Sequence, residues 1–255
     1  MNDFFTFLAL TFAMGLSIFI AMPIVYLRFS FQKLTFLTSV AIGILFFLMA
    51  DIFGDIMPIL YSANSYVAGW KSFAVFVASF MLVFLALFYV EGRPRMKLSG
   101  AAGNARTTAL IIAIGIALQN VTEGLVFGAN WTAGAIGLAT VVFVGFFFQN
   151  ITEGFPIASP LLGSNEKSIP AVASLFFLGG VPTIIGGVIG YHWSNSLFIL
   201  AFDSLAVGAI TYVIIPMLRG VFRPVKSPSL DYQKTRIIYV GIMTGFLLGF
   251  AVNAI

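Results

Sequence analysis

The sequence contains no cysteine and a single histidine, His192. The missing cysteine excludes disulfides, thiolate metal sites and a cysteine nucleophile, and leaves the redox compartment open. Charge is scarce too: Asp, Glu, Lys and Arg make up 9% of the 255 residues, against about 25% in an ordinary soluble domain. With 60% hydrophobic residues and a mean hydropathy of +1.05, a soluble protein is excluded. Strand-length alternation of apolar and polar residues is absent, and the apolar runs far exceed the roughly 10-residue segments of a transmembrane barrel. The net charge of +4 points to no nucleic-acid partner, because in such a chain basic residues chiefly mark cytoplasmic loops.

What is present is length for helices. A bilayer crossing takes about 20 mostly apolar residues, and stretches of that kind cover 4–27, 34–61, 70–90, 107–129, 133–162, 169–190, 196–218 and 237–255. The expected fold class is an all-α membrane protein of eight transmembrane helices, one polytopic domain over 1–255 with the lipid bilayer as its first partner. The N-terminal run follows Asp3 rather than a basic region and is too long for a signal-peptide core, so it reads as the first span. Basic residues punctuate alternate connections: Arg28 and Lys33; Arg93, Arg95, Lys97 and Arg106; Lys167; Arg219, Arg223, Lys226, Lys234 and Arg236. Twelve of the thirteen fall on one side and only Lys71 on the other. The positive-inside rule then makes 91–106 and 219–236 cytoplasmic loops, and places both termini outside the cytoplasm of a multi-pass cell-membrane protein. Gly241, Gly245 and Gly249, and likewise Gly186 and Gly190, recur every four residues and suit close helix packing.

Charged side chains inside a bilayer cost about 2.5–3.5 kcal/mol each on insertion scales and are functional candidates by default. Five acids qualify: Asp51, Asp55, Glu123, Glu153 and Asp203. No Lys or Arg lies within the spans to neutralise them, which leaves protonation, amide hydrogen bonds or a bound cation. The sharpest signal is an internal repeat, Gln119-Asn120-Val121-Thr122-Glu123-Gly124 against Gln149-Asn150-Ile151-Thr152-Glu153-Gly154. Helical spacing puts Gln119 over Glu123 and Gln149 over Glu153, with Asn120 and Asn150 on a neighbouring stripe. At 1.5 Å rise per residue Gln119 lies about 18 Å, and Gln149 about 24 Å, from the start of its span, both near mid-bilayer. Interhelical amide glue would need no Glu in each copy, whereas two facing carboxylates repel unless one is protonated or a cation lies between them. The six residues are therefore candidate ligands for a metal ion or a proton.

At this repeat the chain resembles the ZIP family of divalent metal transporters, whose fourth and fifth helices carry a His-Asn-x-Pro-Glu-Gly type motif. The resemblance extends over most of the chain. It includes Gly54-Asp55-Ile56-Met57-Pro58 in the second span and Gly208-Ala209-Ile210-Thr211-Tyr212-Val213 in the seventh. It implies a ZIP-like helix bundle, transport of divalent metal as substrate, no prosthetic group, and metal ligation by Gln119, Asn120, Glu123, Gln149, Asn150 and Glu153. This chain departs from the pattern in several places: Gln replaces both family histidines, and Thr122 and Thr152 stand where the family has Pro. Val181, in Gly180-Val181-Pro182, stands where a family Glu bridges a second ion, so one metal per protomer is expected. Pro216 and Met217 occupy the region where the family often has His-Glu.

Asp51 and Asp55, one turn apart, and Asp203 fall toward the outer half of their spans and suggest an acidic access route. His192 reads as an interface residue. An oxygen-only site suits Mn²⁺, Mg²⁺ or Ca²⁺, while the resemblance points to Zn²⁺ or Fe²⁺; together they suggest a broad transition-metal substrate (Zn²⁺, Fe²⁺ or Mn²⁺) shifted toward Mn²⁺ or Fe²⁺. A competing reading is a transporter-fold protein that has lost transport and serves as a metal-binding or regulatory partner. Enzymatic function is not expected: there is no nucleophile motif, and Asp51 and Asp55 share one helix, poor geometry for an aspartyl dyad. A homodimer is left open.

Overall fold

A computed structural model describes residues 2–61, 69–91, 105–133, 136–162, 164, 167–193, 195–224 and 228–253. No strand occurs among them. The elements are α1 (Asn2–Leu16), α2 (Phe31–Leu60), α3 (Trp70–Glu91), α4 (Ala105–Thr132), α5 (Ile136–Ala158), α6 (Ile169–His192), α7 (Ser196–Val221) and α8 (Pro228–Asn253). Among the described residues seven stretches are long and apolar enough to cross a membrane: α1 with its continuation to Tyr26, α2, α3, α4, α6, α7 and α8. The chain is thus an all-helical, multi-pass membrane protein, with seven such helices where eight were expected. The remaining one is α5, whose residues 136–138 and 141 carry side chains outside the described set.

Helices dominate because a bilayer core offers no water to the backbone, so each segment satisfies its own N–H and C=O groups. Ser30 caps α2 by accepting from the Lys33 backbone N–H at 3.5 Å. Asn195 caps α7, accepting from Leu197 and Phe198 at 2.9 and 3.3 Å. After Leu16 the first span winds tighter, into a 3-10 stretch over Ser17–Tyr26 that contains Pro23. The Ser17 hydroxyl there lies 2.7 Å from the Met14 carbonyl and 2.8 Å from the Phe147 carbonyl of α5, within donating distance of each.

One expected loop is much shorter than charge alone suggested. The segment 219–236 is helical up to Val221 and again from Pro228. Proline is tolerated in a first helical turn, Asp231 in that turn complements the helix dipole, and Lys234 donates to the Arg223 carbonyl at 2.5 Å. Most of the segment expected at 91–106 lies outside the described residues.

Glycines set how closely the helices meet. A Cβ on Gly124 of α4 would collide with the Thr183 carbonyl and the Gly187 amide of α6, and one on Gly186 would collide with the Val121 carbonyl. On the other side of the bundle, Gly43 of α2 meets Ile242 and Phe246 while Gly249 of α8 meets Phe47. Residue numbers rise together across both contacts, so α4 runs parallel to α6 and α2 parallel to α8. The same holds for α3 and α7, where Phe80 and Val83 pack on Gly208 and Phe84 on Tyr212. It holds again for α1 and α5, through Ser17 on Phe147 and Ala21 on Gly154. By contrast α1 and α6 run antiparallel, with Gly15 on Gly180 and Phe7 on Tyr191.

The polarity of the bundle is inverted relative to a soluble protein. Leu82, Phe88, Tyr239 and Phe250 are more than 60% exposed, whereas Glu123, Glu153 and Asp203 are at most 4% exposed. An apolar exterior of this extent is what lipid covers.

Candidate functional site

The repeat on α4 and α5 folds into one buried polar cluster, as the spacing implied. Gln149 Nε2 is its hub. It donates to Glu123 Oε1 at 2.8 Å and also lies 3.4 Å from both Glu153 Oε1 and Asp51 Oδ2. Gln119 Nε2 reaches the same Glu123 Oε1 at 3.1 Å, and Asn150 Nδ2 approaches Glu123 Oε2 at 3.5 Å. Asn120 Nδ2 bridges to Asn150 Oδ1 at 2.8 Å and to the Gly179 carbonyl of α6 at 3.0 Å. All six sequence-derived ligand candidates thus come together, and Gly179 closes the cluster from a third helix.

Thr122 and Thr152 have a matched local role. Each hydroxyl donates to the carbonyl three residues back, Gln119 at 2.6 Å and Gln149 at 2.7 Å. α4 and α5 remain helical through these positions. Such a bond supplies a second partner to a helix carbonyl in low dielectric.

Asp51, Asp55 and Asp203 also converge. With Gln119, Thr122 and Glu123 they line a cavity of about 180 Å³ bounded by α2, α4, α5 and α7. Asp51 goes further than an access route, since its carboxylate lies within 3.4 Å of the Gln149 amide in the cluster itself. Asp55 is exposed, on the same helix one turn along. Asp203 is buried, and its Oδ2 has no hydrogen-bond partner. Val181 is only partly buried and does not line the cavity.

Oxygen is in excess throughout. Gln119 Oε1, Asn120 Oδ1, Gln149 Oε1 and Glu153 Oε2 are all buried without a hydrogen-bond donor. The imbalance does not depend on which way the amides are turned. The Gln119, Asn120, Gln149 and Asn150 amides supply every N–H in the cluster, and bonds to the Gly179 and Phe146 carbonyls consume part of that supply. The remainder must serve two glutamates and four amide oxygens. Unpaired buried oxygens are costly, roughly 1–3 kcal/mol each and more where charged.

No three His, Cys, Asp or Glu side chains among the described residues are grouped closely enough to hold a metal ion. The physical reason is the Gln149 amide, which stands between the carboxylates. Oxygens 2.8–3.4 Å from its nitrogen suit an N–H donor, whereas metal–oxygen bonds are about 2.0–2.6 Å. Sequence reasoning missed Gly179 of α6, whose carbonyl accepts from Asn120. The five glycines among residues 179–190 were the available signal, since only backbone and short side chains fit where helices touch. No family model matches the chain, and no curated protein matches it.

Proposed function

We propose that the protein moves divalent metal cations across the cell membrane through the cluster on α4 and α5. The observation that carries this reading is the convergence of the Asp51, Glu123 and Glu153 carboxylates on one point, Gln149 Nε2, within 3.4 Å. A dication at that point would offset charge that a neutral amide can only partly satisfy. Turning the Gln149 amide over exchanges its N–H pair for Oε1, which is buried and unpartnered, and converts the hub from donor to ligand.

Gln119, Asn120, Asn150, Glu123 and Glu153 supply the other oxygens, and Asp55 and Asp203 line the approach. The reading agrees with the resemblance of the repeat to the ZIP motif. An all-oxygen donor set favours Mn²⁺ or Fe²⁺ over Zn²⁺. The protein is then a carrier rather than an enzyme, with metal as its cargo and no prosthetic group.

The same proposal takes α5 as an eighth crossing. In an eight-span chain all odd helices run one way and all even helices the other. The parallel pairs α1/α5, α3/α7, α2/α8 and α4/α6, and the antiparallel pair α1/α6, follow that rule. With the basic residues inside, both termini face outward.

A second reading, a binding or regulatory protein that no longer transports, is favoured by the amide that now occupies the hub. Equilibrium titration of the purified protein with Mn²⁺, Fe²⁺ and Zn²⁺ tests the site itself. Saturable binding of one ion per protomer, lost in Glu123→Gln, supports it. Absence of binding for all three ions would refute the metal site and leave only a regulatory role without metal.

A further inference from the structure

Outside the cluster, the surface where α2 and α8 begin has an unusual combination of features. Two contiguous grooves of about 350 and 390 Å³ share Gln32, Phe36 and Ile237 in their walls. Lys33 lines the first and Arg236 the second, and no acid lines either. Both cations are exposed. They sit on neighbouring parallel helices, at the end where those helices start, with apolar walls running from them along the bundle.

Helix length fixes the depth. α2 has 30 residues, about 45 Å at 1.5 Å per residue, while the hydrocarbon core is about 30 Å thick. The helix is therefore long enough for Lys33, in its first turn, to reach the headgroup layer with Phe36 about one turn deeper, toward the acyl boundary. A ligand that fits must be anionic at one end, apolar along its length, and able to enter sideways from the bilayer.

We propose that this groove is a binding site for an anionic phospholipid, its phosphate between Lys33 and Arg236 and an acyl chain along Phe36 and Ile237. Arg is suited to the phosphate by its planar fork, and Lys as a point charge. The Gln32 amide is placed to donate to headgroup oxygens. The site is independent of the metal reading and requires only that α2 and α8 lie in a bilayer.

The test is native mass spectrometry of the full-length protein in detergent, titrated with phosphatidylglycerol or with phosphatidylcholine of the same acyl chains. Preferential retention of phosphatidylglycerol is expected. It should weaken about fivefold for each charge removed in Lys33→Gln and Arg236→Gln, as an interaction with one basic residue near an anionic surface implies. Lys33→Arg should retain it. Lys71→Gln, at the opposite end, should leave it unchanged and so separates a site from a general annulus. Equal retention of the two lipids, or undiminished phosphatidylglycerol retention in the Lys33→Gln/Arg236→Gln double variant, overturns the proposal.

Discussion

Glu123 accepts from Gln119, Gln149 and Asn150, and so ties both copies of the repeat together. Its charge is also the one nearest the hub. Removing it should cost metal affinity by at least about a thousandfold, since even two unit charges 4 Å apart at an effective dielectric of 20 are worth about 4 kcal/mol and the ion carries two. Isothermal titration of Glu123→Gln and Glu153→Gln, which preserve shape, measures this; wild-type affinity in both would sink the site. Gln149→His puts an imidazole where the amide hub stands, and borderline-soft Zn²⁺ prefers nitrogen. That variant should gain Zn²⁺ affinity relative to Mn²⁺ in competition binding, and an unchanged ratio would show that residue 149 does not reach the ion. At this scale the repeat made the six ligand candidates legible, because the same letters recur twice at helical spacing. Asp51 as a cluster member was not legible. Its approach to Gln149 bridges two residues distant in sequence, a consequence of packing that no local pattern encodes.

At the scale of helices, close approach depends on absent side chains. Gly124→Ala would drive a methyl group into the backbone of α6, and overpacking of this kind costs about 1–3 kcal/mol. Gly54→Ala and Gly145→Ala meet nothing within 4 Å and should stay within about 0.5 kcal/mol of wild type. Thermal unfolding in detergent compares the three. A Gly124→Ala protein as stable as the other two would mean that α4 and α6 lie further apart than described here. Glycine spacing in the sequence correctly marked α6 and α8 as closely packed helices. It did not say which partners they take, and charge density misled at 228–236, where dipole complementarity and the Lys234 contact to Arg223 sustain a helix.

For the whole molecule, the parallel and antiparallel pairs show which helices run in the same sense. Under the proposal of eight crossings, the twelve-to-one distribution of basic residues then assigns the cytoplasmic end by the positive-inside rule. The natively cysteine-free chain allows a clean check. Ser99→Cys should be labelled by an impermeant thiol reagent only after the membrane is opened, and Ser65→Cys in intact cells. The reverse pattern would invert the orientation. The membrane class could be read from composition alone, because 9% charge permits little else. The cavity shared by α2, α4, α5 and α7 could not, since it exists only once the helices are assembled.

The central claim is that a divalent cation crosses through the α4–α5 cluster. Mn²⁺ uptake into proteoliposomes, comparing wild type with Glu123→Gln reconstituted at equal density, tests it most directly. The account predicts saturable uptake by wild type and background flux in the variant. Equal uptake by both, or saturable binding with no flux in wild type, would contradict it.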